Sequence, residues 1–278
     1  MKCGPIRWRN GFQLQVYGLA VGRFLWTWVF VSTVLSGVAC SDGASSLRKA
    51  ASRGDTSKVQ KLIASGVEVD GQNGDGDTAL HLAVLGNHLE VVEVLLASGA
   101  PVDSRNKCGW TPLHRAMEAN VAQLLLNAGA DPDARDSVDG STPLRMLVDS
   151  NHGRPHVAQP GSRQGRAVLL MDRQRRRKLA ETLLKAGADI NSRTEDGWTP
   201  LHGAVAAGHI DDVTFLLEKG ADPFAQGEFK TTPLQLAVSS GQTAIASLLR
   251  KHIAELQLKR EGERGQEPFL LTTEPDAR

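Results

Sequence analysis

The chain has 278 residues, with Lys+Arg 32 against Asp+Glu 31 and a formal net charge of +1. That balance excludes the basic excess of a typical nucleic-acid-binding domain. An apolar share of 41% with 23% charged residues excludes a disordered or multi-span membrane chain. Aromatics are only 5%, so the core must be built from Ala, Leu and Val, which suits closely packed helices better than a β-sandwich. Three scattered cysteines, Cys3, Cys40 and Cys108, are too few for a disulfide framework or a zinc site.

Residues 1–39 hold Lys2, Arg7, Arg9 and Arg23 and no acid, and the run from Phe24 to Ala39 is uncharged. A basic start, a short apolar run and small residues before a polar break are the features of a secretory signal. A helix over that run would measure about 24 Å, a little short of the hydrocarbon core. Ser36-Gly-Val-Ala-Cys40 resembles a bacterial lipoprotein box, which would make Cys40 the lipidated N-terminus. Gly37 and Ala39 also satisfy simple cleavage, and an uncut membrane anchor is the third alternative. In each case the remainder is expected to be exported and to face the periplasm, with the basic flank left in the cytoplasm.

Beyond the leader the chain repeats itself. Thr78-Ala-Leu-His81 recurs as Thr111-Pro-Leu-His114, Thr142-Pro-Leu-Arg145, Thr199-Pro-Leu-His202 and Thr232-Pro-Leu-Gln235, at intervals of 33, 31, 57 and 33 residues. Thr caps a first helix, Pro fits its first turn, and the following Leu and Ala face inward. Seven residues after the Leu stand Gly54, Asn87, Asn120, Asn151, Gly208 and Gly241, which tolerate the left-handed conformation that ends such a helix. A second helix with apolar residues at helical spacing closes on Gly66, Gly99, Gly129, Gly187 or Gly220, and a polar hairpin follows. One such unit cannot bury its own apolar face, so the units must stack.

The pattern resembles the ankyrin-repeat family, most fully in the unit from 195 to 227 with Thr-Pro-Leu-His and Leu-Leu-Glu-Lys-Gly-Ala-Asp. The resemblance implies an all-α solenoid of about six helix-turn-helix/β-hairpin units. They span 44–73, 74–106, 107–136, 137–194, 195–227 and 228–252, within a domain from 44 to 252. Residues 253–278 read as a helical extension and a charged tail. The family uses the His of this motif to tie neighbouring units, so His81, His114 and His202 are expected to be structural, and Arg145 and Gln235 to weaken the tie.

Two irregularities stand out. The third unit is three residues short between Asn120 and Gly129, which predicts a shortened second helix. The fourth gains 24 residues, and its insert, 153–178, carries a charge of +7. The second part of the insert is read as a backward extension of the second helix. Its run Arg173, Arg175, Arg176, Arg177 and Lys178 fits an anionic membrane surface or polymer, or else a merely solvated loop.

No nucleophile elbow, phosphate loop or metal-binding His pair is present. His152 and His156 lack a third ligand, and Asp70–Asp77 lacks the acid spacing of a calcium loop. No enzyme activity, cofactor or metal is expected. Trp110 and Trp198 stand just after the hairpin Gly, where the family varies freely, and read as partner-contact residues. Phe229, Arg105 and Lys107 join the same face, and Cys108 is expected to be exposed. The expected function is a monomeric scaffold that binds another protein, not nucleic acid, through hairpin tips and the concave face, exported and associated with the cell envelope. The alternative is surface targeting through the Arg-rich insert.

Overall fold

The computed structural model describes residues 43–149 and 173–264, with side chains as far as Glu261. Cys40, the leader and residues 153–172 of the insert lie outside the described residues. Within them the regular structure is helical, with no strand. Helix α1 (43–53) pairs with α2 (Thr56–Ala64), and α3 (Ala79–Leu85) with α4 (Leu89–Ala97). A 3-10 turn, Pro112–Arg115, pairs with α5 (Ala119–Asn127), and α6 (Pro143–Val148) with α7 (Arg173–Lys185). Then α8 (Pro200–Ala206) pairs with α9 (Ile210–Glu218), and α10 (Pro233–Ser239) with α11 (Thr243–Arg264).

The first helices form one layer and the second helices another. In the outer layer α2 meets α4, α4 meets α5, α5 meets α7, α7 meets α9 and α9 meets α11. Each pair thus buries its faces against its neighbours, and the core runs the length of the stack. Leu47, Leu80, Leu113, Leu144 and Leu201, one in each of the first five pairs, are all buried, and Val59, Val92, Leu125, Leu183 and Leu216 join the same core from the second helices. Thr78, Thr142 and Thr232 cap their helices by accepting the N–H three residues on, and Gly54, Asn87, Gly208 and Gly241 take the positive φ that ends them.

The third pair departs from expectation. Its second helix, α5, keeps nine residues, as many as α4 and α9. The deletion falls on the first helix, which shrinks to the four-residue 3-10 turn, and Asn120 lies inside α5 instead of ending its predecessor. The reason is in the core: α5 supplies the buried Val121, Ala122 and Leu125, which cannot be given up. The turn still delivers the buried Pro112, Leu113 and His114 in four residues.

Between pairs the chain makes hairpin loops, each closed by a backbone bond such as Asn106 N–H to Trp110 O (3.0 Å) or Gly227 N–H to Thr231 O (3.0 Å). Neighbouring loops are joined tip to tip by Lys107 N–H to Asp75 O, Ser137 N–H to Cys108 O and Glu195 N–H to Asp139 O. At Gly109 (φ 75°) a Cβ would stand 2.5 Å from the Ser137 nitrogen, so only glycine fits. The last loop breaks this rule: Lys230 occupies the glycine position at φ 59°, beside Phe229 at φ 54°. A side chain in the left-handed region costs about 1–2 kcal/mol. Lys230→Gly is therefore expected to raise stability by about 1 kcal/mol, read as a higher urea midpoint with unchanged slope.

Candidate functional site

The three motif histidines repeat one geometry. Nε2 reaches the carbonyl just before the next pair's Thr: His81 to Trp110 O (2.9 Å), His114 to Ser141 O (3.2 Å), His202 to Thr231 O (3.0 Å). A carbonyl only accepts, so Nε2 carries the proton. Nδ1 then accepts from the unit's own Thr, at 2.9 Å from Thr78, Thr111 and Thr199 Oγ1. Each ring is therefore a neutral link between its own N-cap and the next pair. Burial lowers the pKa of all three below the usual value, to about 4 for His114.

In two units arginine stands where the motif has histidine. Arg48, at the corresponding place in α1, donates to Gly71 O at 2.9 Å. Arg145 is buried, ion-paired with Asp149, and lies over the Trp198 ring of the fifth pair, 6.0 Å from its centroid. A Cβ on Gly203 would meet Arg145 Nη1 at 2.7 Å, so the missing side chain in α8 makes room for the guanidinium. Thr142 is meanwhile joined to Ser192 between the hydroxyls (3.1 Å). Arg145 thus reaches the fifth pair through a ring contact, in place of the hydrogen bond to a carbonyl that the imidazoles make. Gln235 in the last pair turns back to cap Thr232 N–H (2.9 Å).

The tryptophans are also part of the frame. Trp110 is 5% exposed, and its Nε1 donates to Asp136 at 3.2 Å. Arg115 lies 5.2 Å from the Trp110 centroid and pairs with the buried Asp77 at 2.9 Å, which also accepts from Asn106. The reading of Trp110 as a partner contact is overturned, because the neighbouring hairpin covers the slot after the hairpin glycine. Trp198 is half-buried between Arg145 and the His202 ring. No motif flagged Arg115; a Trp five residues before it was the available signal.

On the hairpin edge Arg105 donates to Gly109 O (3.1 Å) and to Arg135 O, Arg135 to Arg193 O (2.7 Å), and Arg193 to Gln226 O (3.0 Å). Arg105, assigned above to the contact face, is thus a rung in a ladder that recurs once per unit. Lys107 is exposed and Cys108 is half-buried rather than exposed. Phe229 is 89% exposed, the most exposed large apolar side chain among the described residues. Its neighbour Glu228 lines an open cleft of about 200 Å³ with Asp139, Arg145, Asp149, Thr194, Asp196 and Trp198.

The arginines at the end of the insert lie on α7 and form ion pairs: Arg173 with Asp211, Arg175 with Glu118, Arg176 with Asp212, Arg177 with Glu218 and Glu181. Lys178 is exposed. Among the described residues no group of three His, Cys, Asp or Glu is placed to hold a metal, and no helix is long and apolar enough to cross a membrane.

Trp110→Ala should remove about 3–5 kcal/mol of stability, measured by urea unfolding, instead of selectively removing a partner contact. The histidines also fix a pH dependence. Below pH about 6.5 the unfolded chain takes up protons that the folded chain refuses, until pH about 4 for His114. Stability present above that window is therefore lost as the pH falls through it, by about 3 kcal/mol for His114 alone. Unfolding midpoints at intervals between those limits check the slope, and a flat profile would contradict it.

The model for "Ankyrin repeats (3 copies)" matches residues 47–136 and 171–260, more than half of the chain. Similar solved structures include a chain from the complex of the Bd0816 predatory endopeptidase of Bdellovibrio bacteriovorus with immunity protein Bd3460. It is 27% identical, with a TM-score of 0.59, covering 74% of this chain and 97% of that one. The ankyrin repeat domain of Bcl-3 is 26% identical, with a TM-score of 0.60 and coverages of 74% and 85%. Curated relatives match over shorter stretches. The human 2-5A-dependent ribonuclease is 33% identical over 108 residues, 36% of this chain and 14% of the relative. The alpha-latrocrustotoxin of Latrodectus tredecimguttatus is 40% identical over 63 residues, 23% of this chain and 4% of the relative. The chain thus spans only a small part of these relatives. The stacked pairs, the repeated Thr–His links and the matching family model together show that the chain belongs to the ankyrin-repeat family.

Proposed function

We propose that the protein is a non-enzymatic scaffold that binds another protein through its hairpin tips and concave face, and that it works exported, at the cell envelope. The observation that carries the binding reading is Phe229. An aromatic ring 89% exposed, on a hairpin tip whose backbone is held in the left-handed region, has no role in the fold. Strain retained at an exposed residue points to recognition, and a lone rigid aromatic is the usual anchor of an interface. Beside it, Asp196 and Glu228 on the rim of the cleft suit a partner segment with a cationic side chain next to an apolar one.

Export rests on the leader: four basic residues, the uncharged run from Phe24 to Ala39, and Cys40 at its end. Similarity to a chain from an endopeptidase–immunity protein complex makes an envelope peptidase the first partner class to test. The surface-targeting reading has less support, because the described arginines of the insert are engaged with Glu118, Asp211, Asp212 and Glu218.

Two experiments test this. Phe229→Ala should weaken capture of the native partner from the host envelope fraction by about thirtyfold, as expected for a hot spot, with the urea midpoint unchanged; equal capture would overturn the binding reading. The intact mass of the protein from host membranes should show a chain beginning at Cys40 with acyl mass. A start near residue 40 without acyl mass would mean a soluble exported binder, and an uncut Met1 a membrane-anchored one.

A further inference from the structure

Helix α7 carries four arginines, at 173, 175, 176 and 177. Three of them sit at i, i+3 and i+4, a spacing that repels on an isolated helix. At about 100° per residue, Arg173, Arg176 and Arg177 share one stripe and Arg175 faces the opposite side. The stripe meets α9. Arg173 Nη2 lies 2.6 Å from Asp211, Arg176 Nε 3.0 Å from Asp212, and Arg177 Nη2 3.6 Å from Glu218, with Arg177 also over the Phe215 ring. The opposite side meets α5, where Arg175 Nη1 lies 2.9 Å from Glu118, the N-cap residue.

One helix is thus ion-paired to both neighbours. Among the described residues no ion pair crosses the α2/α4, α4/α5 or α9/α11 contacts. The paired helix also lies at the most irregular place in the stack. The preceding pair has a 3-10 turn in place of its first helix, and the insert enters the fourth pair itself. In a stacked-repeat protein, cooperativity depends on each interface between neighbours, and the weakest one sets where the stack divides.

We propose that α7 is a charge clamp: it joins the first three helix pairs to the last two as one cooperative unit at low ionic strength, and loosens as salt rises. Arg173, Arg175 and Arg177 are exposed, so their pairs are individually weak and readily screened. Arg176 and Asp212 are mostly buried, so this pair resists screening and keeps the helices in register.

The test is native-state hydrogen exchange on the full chain at about 0.01 M and about 1 M NaCl, where the Debye length falls from about 30 to about 3 Å. At low salt, amides of α4 and α9 should open with the same slowest free energy. At high salt their protection should diverge by about tenfold or more as the two parts open separately. Glu118→Gln with Asp211→Asn, both half-buried, should produce the same divergence already at low salt, whereas Lys251→Gln, within α11, should not. An unchanged α4-to-α9 protection ratio across the salt range, or a double variant that behaves as wild type at low salt, would overturn the clamp. This outcome is independent of whether Phe229 binds a partner.

Discussion

The structure depends on a buried polar link that passes from the end of one Leu-bearing turn to the hairpin of the next pair. Apolar burial is non-directional and roughly proportional to area, so a directional polar bond adds a register constraint of a different kind. A neutral imidazole with an acceptor on one side and a carbonyl on the other tolerates no slip, since a buried group left unpaired costs more than a made bond contributes. His81, His114 and His202 each provide this link. Arg145 reaches the same neighbour by another route, with Gly203 opened to receive it.

This constraint absorbs most of the residues that look functional in the linear chain. Trp110 and Arg115 stack and lock onto Asp136 and Asp77. Arg105, Arg135 and Arg193 run from hairpin to hairpin along the backbone carbonyls. The arginines of α7 hold Glu118 on one side and α9 on the other. What is not absorbed is therefore informative. Phe229 touches no core, costs backbone strain and stands at the open edge of the last hairpin. On the proposed reading, the partner is recognised by side chains of this kind, which the frame leaves unengaged.

The fold was legible because its signal is periodic and local. Thr, Pro and Leu at fixed spacing specify cap, first turn and buried face in four residues, and the recurrence itself demands stacking. Of the residues the linear chain suggests for a contact face, Phe229 is the one whose side chain stands almost wholly exposed, and its role there is the proposal made above. Contacts between units were hidden, because they join positions 26 to 58 residues apart. Trp110 looked exposed in the chain since nothing local covers it; the hairpin of the next pair does. The short third unit misled for a related reason. Counting from conserved spacing assigned the loss to α5, whereas packing keeps the helix that fills the core and shortens the one whose work a single turn can do.

The claim that the frame consumes the conspicuous residues and leaves the last hairpin as the contact is tested most directly by site-specific photo-crosslinking in the native host. A benzophenone side chain would be placed in turn at positions 229, 107 and 175. The account predicts a protein adduct from position 229 and none from 175, which is exposed on α7 but lies outside the proposed contact. A lipid or protein adduct from 175 with silence at 229 would contradict it, and would return the binding surface to the arginines of the insert.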